Sequence, residues 1–182
     1  MSTRKPTREA IAAARGKRIA DLIAPGLKVL FCGINPSLYS AAVGRHFARP
    51  GNRFWPALHL AHFTERRLHP SEQRELLAAR YGLTNLVARA TASADELTAE
   101  ELLRGARLLQ RKVARYRPTV VAFLGVTAYR IALGRPRAEL GRQAESLGGS
   151  IIWVLPNPSG LNSHYRLADL GRLFEELRQV LA

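Results

Sequence analysis

Two segments of the chain combine residue types that bind phosphate, stack on bases and position water. Residues 33–55 read GINPSLYSAAVGRHFARPGNRFW, and residues 157–166 read NPSGLNSHYR. Neither segment contains aspartate or glutamate. A metal-dependent nuclease needs carboxylates to hold its ions, and a two-carboxylate glycosidase needs them as acid and base. The two segments fit neither mechanism, and we expect no metal or other cofactor.

The chain has one cysteine, Cys32, which limits its redox and metal chemistry. An intrachain disulfide needs two cysteines, and a zinc ribbon or an iron–sulfur cluster needs about four. No apolar run approaches the roughly 18–20 residues that span a bilayer, and the first residues lack the apolar centre of a secretory signal. We therefore expect no membrane partner and a cytoplasmic location, with the nucleoid in a bacterium, or a nuclear location in a eukaryote.

The net charge of the chain is strongly positive. Its 182 residues include 28 lysines and arginines against 14 acidic residues, which gives a formal charge of +14. Four of the basic residues are lysines and the rest are arginines, whose guanidinium groups bind phosphate through paired hydrogen bonds. This balance favours a nucleic-acid partner, although an arginine bias inherited from genome composition would give the same count.

Apolar runs that alternate with helical patterns must position the two segments. Four strands are predicted, at Leu27–Cys32, Leu83–Val87, Thr119–Leu124 and Ile151–Leu155. Three helices are predicted: Ser71–Tyr81 ended by Gly82, one begun by the capping box Thr98–Glu101, and a C-terminal helix over Leu167–Leu181. Continuously apolar strands separated by helices predict an α/β fold, a three-layer α/β/α domain around a short, mostly parallel sheet.

The predicted sheet also gives the place of the ligand and the domain organisation. Ligands of open parallel sheets bind beyond the carboxyl ends of the strands, which is where residues 33–55, 125–129 and 156–165 follow. We expect one domain over residues 21–182. A basic N-terminal arm, residues 1–20, precedes it and is partly helical or flexible.

Four motifs in this order resemble one known family. The runs VLFCGINPS, GRHFARPGNRFW, GLTNLV and VLPNPSGL resemble the mismatch-specific uracil-DNA glycosylase family, which includes the thymine-DNA glycosylases. The resemblance extends from about Ile23 to the C-terminal helix. It implies a uracil-DNA glycosylase-like fold, no cofactor, and double-stranded DNA containing uracil or a mismatched pyrimidine as the partner.

The resemblance assigns roles in the first segment. Asn35 matches the residue that positions the attacking water. Since an amide orients water but is a very poor base, the implied reaction is dissociative: the base leaves as an anion and water captures an oxocarbenium-like sugar. Gly33 and the backbone around Ile34 and Phe47 match the base pocket, and the Phe47 ring matches the one that stacks on the flipped base. Ordinary core packing is the structural alternative for Phe47, and a turn-forming residue before Pro36 is the alternative for Asn35.

Three further pocket candidates carry alternatives. Asn85 corresponds to a position that is lysine or asparagine in the family, and a polar strand-end residue is its structural alternative. His46 could contact the base, although a lone surface histidine is the commoner arrangement. Ser37 stands where the family usually has glycine, so it would narrow the pocket or add a hydroxyl contact.

The second segment matches the part of the family that contacts DNA. Leu161 resembles the wedge that fills the space left by the flipped base, with a loop-anchoring role as its alternative. Gly160 and the backbone beside Leu161 and Ser163 match contacts to the orphaned guanine. We expect Asn157 and Ser159 to bind phosphate at a helix N-terminus, with Asn162 in the same DNA-binding loop.

Two functions remain open from the sequence. The first is a monofunctional DNA glycosylase that excises uracil, above all from G·U mismatches, with thymine and etheno-cytosine as further substrates, and leaves an abasic site. Neither segment has a lysine that could form a Schiff base, which argues against lyase activity. The second is a non-catalytic nucleic-acid-binding α/β module. We expect a monomer, with downstream abasic-site repair enzymes as candidate protein partners.

Overall fold

The computed structural model of the chain describes residues 5–181, so residues 1–4 of the predicted arm lie outside the described residues. The helices are α1 (Arg8–Ala12), α2 (Leu38–Val43), α3 (Phe54–Leu60), α4 (Glu75–Ala78), α5 (Ala99–Tyr116), α6 (Val126–Ala132) and α7 (Leu167–Gln179). The strands are β1 (Val29–Gly33), β2 (Tyr81–Asn85), β3 (Val120–Leu124), β4 (Gly141–Leu147) and β5 (Ser150–Leu155). No helix in the described range is long and apolar enough to cross a membrane.

The five strands form one sheet in the order β2-β1-β3-β5-β4. Strands β1, β2, β3 and β5 are parallel, and β4 pairs antiparallel with β5 at one edge. The predicted α/β fold with a short, mostly parallel sheet is confirmed. Since the parallel strands end on the same side, the residues that follow β1, β3 and β5 meet there.

Apolar side chains of the strands alternate between the two faces of the sheet, and a layer of helices packs against each face. Phe31 of β1 packs with Phe54 of α3 and Phe174 of α7 in one core cluster. Leu30 and Cys32 point to the opposite cluster, which contains buried residues of α5 and α6. Strands β1, β3 and β5 are buried on both faces, which explains why their sequences are almost continuously apolar.

The predicted helix over Ser71–Tyr81 is wrong. A short 3₁₀ helix (Pro70–Glu72) and α4 occupy its first part, and Tyr81 and Gly82 already belong to β2. Gly82 does not end a helix: a Cβ placed on it would lie 2.5 Å from Leu27 Cδ1 and 2.7 Å from the Leu22 carbonyl oxygen. Its glycine is therefore required by close packing against the sheet.

The edge strand β4 was not predicted from the sequence. Its residues, GRQAESL, are mostly polar, and Leu147 is the buried residue at its end. An edge strand exposed to solvent needs few apolar residues, so hydrophobic patterning could not show it.

The chain before β1 packs against the rest of the domain. Ala14 is fully buried and packs in one small apolar cluster with Ala41 and Ala90. The Gly16 amide donates to the Ala90 carbonyl at 2.9 Å, and the Ala90 amide donates to the Lys17 carbonyl at 2.8 Å. Residues 14–17 therefore hold the segment that follows β2.

Candidate active site

A cavity of about 1070 Å³ lies at the carboxyl ends of the parallel strands. The residues that follow β1, β2, β3 and β5 line it. Of the site residues predicted from the sequence, those that line this cavity are Gly33, Ile34, Asn35, Ser37, His46, Phe47, Asn85, Asn157, Ser159, Leu161 and Asn162. Gly160 and Ser163 lie in the same loop as Leu161 but outside the cavity wall.

The side-chain amide of Asn35 has a fixed orientation. Its Nδ2 donates to the Arg89 carbonyl oxygen at 3.0 Å and to Thr91 Oγ1 at 2.7 Å. Since a carbonyl oxygen can only accept, the atom that reaches Arg89 is the amide nitrogen. Asn35 Oδ1 has no hydrogen-bond partner among the described residues and is not sealed from solvent. Asn35 thus offers an acceptor to the cavity.

The partners of Asn35 are themselves held in place. Thr91 is buried and donates to the Ser93 carbonyl at 2.7 Å, so its hydroxyl oxygen is free to accept from Asn35. Arg89 donates to Glu101 at the start of α5, with Nη2 and Oε2 2.9 Å apart. The Arg89 guanidinium, assisted by the Thr98 amide, lowers the pKa of the Glu101 carboxyl to about 2, so this partner stays charged.

Phe47 sits in an unusual backbone conformation that presents its ring to the cavity. Its φ is 52°, in the left-handed region that bulky side chains avoid. The ring packs on Phe54, with centroids 4.2 Å apart and planes inclined by 31°. A Cβ on Gly33 would lie 3.2 Å from the Phe47 ring, so glycine at position 33 allows this approach. A planar base could stack against the part of the ring that lines the cavity.

His46 is buried, with 2% of its surface exposed, and the surface alternative for this residue is wrong. Its amide donates to Gln73 Oε1 at 2.9 Å, its carbonyl accepts from Trp55 Nε1 at 3.2 Å, and its Nε2 lies 3.0 Å from the Ala20 carbonyl. Burial lowers the pKa of the imidazole, which is therefore neutral with its proton on Nε2. These contacts hold the strained backbone of the next residue, Phe47.

Asn85 and Ser37 both line the cavity but differ in their local roles. Asn85 pairs with Gly33 in the sheet, and a Cβ on Gly33 would lie 2.6 Å from Asn85 Oδ1. Asn85 Nδ2 lies 3.5 Å from His46 Nδ1. The Ser37 hydroxyl caps α2: it accepts from the Ser40 amide at 3.1 Å and donates to Ser40 Oγ at 3.0 Å. The oxygen of this hydroxyl therefore caps the helix, and its proton is used by Ser40 Oγ.

The loop over residues 157–166 forms its own hydrogen-bonded turn. Asn157 Oδ1 accepts from the Ser159 amide at 3.0 Å, and Asn162 Nδ2 donates to the Asn157 carbonyl at 2.9 Å. The expectation that Asn157 and Ser159 lie at a helix N-terminus is wrong, because α7 begins only at Leu167. Leu161 stands at the tip of the turn with 70% of its surface exposed.

One comparison decides the family. The family model for the uracil DNA glycosylase superfamily matches residues 20–182, most of the chain and all of the cavity wall except Ile19. The chain belongs to the uracil DNA glycosylase superfamily. Membership supports a hydrolase that acts as a DNA glycosylase, with DNA as its substrate. The superfamily match begins near the boundary expected between arm and domain.

A solved structure shares the fold of this superfamily member. It is a solution NMR structure from Methanosarcina acetivorans, of a protein named provisionally as a uracil DNA glycosylase. The two sequences are 19% identical, the TM-score is 0.56, and the match covers 90% of this chain and 98% of that chain. At this identity the likeness establishes the fold.

Four residues of the candidate site were missed by sequence reasoning. Arg89 and Thr91 orient Asn35 from a segment 54 and 56 residues away. Asp95, on the short 3₁₀ helix Ala94–Glu96, places an exposed carboxylate in the cavity wall, although the two acid-free segments suggested none. Arg53 binds the loop that carries Leu161.

Proposed function

We propose that the protein is a monofunctional DNA glycosylase of the mismatch-specific type, which hydrolyses the N-glycosidic bond of uracil, above all in G·U mismatches, and leaves an abasic site. The observation that carries this proposal is the fixed amide of Asn35, whose free Oδ1 shares one cavity with the Phe47 ring and Asn85. Hydrolysis of the glycosidic bond of a flipped base needs three groups: an acceptor that holds water, a ring that stacks on the base, and an amide that hydrogen-bonds to its polar edge.

The chemistry follows from the acceptor at Asn35. Oδ1 would accept one hydrogen of a water and leave the lone pairs of that water facing the sugar. Since an amide removes no proton, the water is too weak a nucleophile to displace the base, so the glycosidic bond must break first. The uracil anion leaves, the water captures the positive sugar, and the catalytic gain comes from position and from stabilising the leaving base.

Base recognition is assigned to Phe47 and Asn85, which line the same cavity as Asn35. Phe47 would stack on the flipped uracil; base–aromatic stacking is worth about 1–3 kcal/mol per base and tolerates different bases. Asn85 offers an acceptor and a donor, the pattern that pairs with the N3–H and an adjacent carbonyl of a pyrimidine. Thymine presents the same N3–H and carbonyls. Etheno-cytosine, whose N3 is bridged to N4, has no N3–H but keeps the O2 carbonyl for the amide donor and the ring face for stacking, so both are included as further substrates.

The exposed Leu161 is assigned to the space that the base leaves. A base inside a duplex must leave the stack before its glycosidic bond can be reached. Leu161 is exposed at a loop tip beside the cavity, as expected for a side chain that enters the duplex. The Gly160 and Ser163 backbone would then face the unpaired guanine, and the charge of +14 would hold the phosphates.

The absence of lyase chemistry is part of the proposal. Among the described residues that line the cavity there is no lysine, so none of them can form a Schiff base with the sugar. The expected product is an abasic site in an uncut strand.

A panel of four labelled duplexes tests the function. The duplexes carry G·U, A·U, G·T or undamaged G·C, the protein is in excess, and alkali reveals abasic sites. We expect excision from G·U, with A·U and G·T defining the specificity and G·C uncut. Binding of every duplex without excision from any would contradict the proposal and favour the non-catalytic binding module.

A further inference from the structure

One arginine joins the two loops that form the candidate site. Arg53 precedes α3, and its backbone amide donates to the Pro158 carbonyl at 2.9 Å. Its Nη2 donates to the Ser159 carbonyl at 2.5 Å and to the Asn162 carbonyl at 2.7 Å, and its Nη1 donates to the Tyr165 carbonyl. A single residue thus binds four carbonyl groups of the loop over residues 157–166.

The four carbonyls lie on both sides of Leu161. Two precede it and two follow it. The guanidinium binds three of them, at Ser159, Asn162 and Tyr165, and so closes the turn that carries this side chain. Leu161 is 70% exposed, so core packing cannot fix its position, and its place depends on the backbone below it. Gly160 brings that backbone against the first loop: a Cβ there would lie 2.6 Å from the Gly51 carbonyl oxygen.

The Arg53 guanidinium is committed to these carbonyls. Among residues 5–181 it forms no ion pair with a carboxylate, and its Nε is buried without a hydrogen-bond partner. Arg53 is also absent from the cavity wall, whereas its neighbour Asn52 lines it. A planar guanidinium with five N–H groups can bridge several carbonyls at once, and the ammonium group of lysine cannot do so in the same geometry.

We propose that Arg53 is the positioning residue for the wedge loop, residues 158–165, and that it controls how long the enzyme holds flipped and product DNA. It acts through Leu161 and touches neither base nor sugar. This inference rests on the proposed function, because Leu161 can fill the space left by a base only if the enzyme flips that base out of the duplex. It assigns Arg53 to retention of the extrahelical state and Asn35 to the chemical step.

The test measures dissociation from a product duplex with an abasic-site analogue opposite guanine. The variants are Arg53→Met, Leu161→Ala, the double variant, and Arg45→Met, which removes the same charge from an exposed side chain bonded only to its neighbour Gly44. We expect Arg53→Met to dissociate about tenfold faster than the wild type, and Arg45→Met to stay within about twofold. In the Leu161→Ala background, Arg53→Met should add less than about twofold, since both changes remove one function.

Two results would overturn the inference. One is a dissociation rate of Arg53→Met equal to that of Arg45→Met. The other is full additivity in the double variant, which would show that Arg53 acts independently of Leu161. Thermal unfolding checks that Arg53→Met is folded. If it is not, Arg53→Lys replaces it in the test, because lysine keeps the charge but lacks the planar guanidinium; this variant must then dissociate from the product duplex about tenfold faster than the wild type. Excision from G·U by the wild type is measured alongside, so a failure of the proposed function is seen separately.

Discussion

At the scale of residues, the orientation of one amide decides which atom of Asn35 faces the cavity. The two N–H groups are used by the Arg89 carbonyl and by Thr91, so the cavity receives the oxygen. Position 35 could be singled out from the sequence because GINPS resembles a known motif. Its orientation could not, because the two partners lie more than fifty residues away and become neighbours only when β1 and β2 pair.

Asp95 gives a direct test of a reaction without a general base. Its carboxylate is the acidic group in the described cavity wall, and removal of a true general base costs about 10²–10⁴-fold in rate. We expect Asp95→Asn to lower single-turnover excision from a G·U duplex by less than about tenfold. A loss of a hundredfold or more would mean that a carboxylate activates the water and that the dissociative route is wrong.

At the scale of elements, the carboxyl ends of the strands and the chain before β1 build the site together. Ile19 lines the cavity, the Ala20 carbonyl accepts from His46, and residues 16 and 17 bond both backbone groups of Ala90. Ala90 lies between Arg89 and Thr91, the two residues that orient Asn35. Residues 14–20, expected as part of a basic arm, therefore support the geometry of the candidate site.

Deletion of residues 1–18 should slow the chemical step. It removes the bonds to Ala90, the packing of Ala14 and the ion pair between Arg15 and Glu96. We expect single-turnover excision to fall by about tenfold to a hundredfold, because small misplacements of catalytic groups are costly. Deletion of residues 1–6 is the control, because it removes basic charge and leaves α1 and residues 14–20. Equal rates for the two deletions would contradict this role.

The elements also show which parts of the fold a sequence can reveal. Strands β1, β3 and β5 were predicted because burial on both faces makes them continuously apolar, and α5 because its capping box marks its start. Strand β4 was missed because it is a polar edge. The helix predicted over residues 71–81 was wrong because Gly82 serves side-chain packing, a requirement that looks identical to a helix stop in the sequence.

At the scale of the whole molecule, the stability of the fold depends on a buried neutral histidine. Burial lowers the pKa of His46, the hydrogen bond to Ala20 and the nearby Asp21 oppose this, and Lys112 adds to it. The unfolded chain, with a histidine pKa of about 6.5, therefore binds more protons than the folded chain just below that pH. The contribution of neutral His46 to the free energy of unfolding should therefore be fully present above about pH 6.5. It should decrease as the pH falls from there toward the lower pKa of His46 in the folded protein.

Denaturant unfolding between pH 5 and pH 7.5 measures this effect. We expect the wild type to lose unfolding free energy below about pH 6.5, with a slope of at most about 1.4 kcal/mol per pH unit. His46→Gln, which keeps a donor near the Ala20 carbonyl, should flatten the curve between about pH 5 and 6.5. The interpretation fails if the variant retains the slope of the wild type, since another group would then titrate.

The central claim is that Asn35 holds the attacking water in a DNA glycosylase. The most direct measurement compares single-turnover excision of uracil from a G·U duplex by the wild type and by Asn35→Ala, together with the affinity of both for that duplex. We expect the variant to lose about a hundredfold or more in rate and to change its affinity by less than about threefold, because the amide acts on water and leaves DNA binding to other residues. Excision at an undiminished rate by Asn35→Ala would contradict the account.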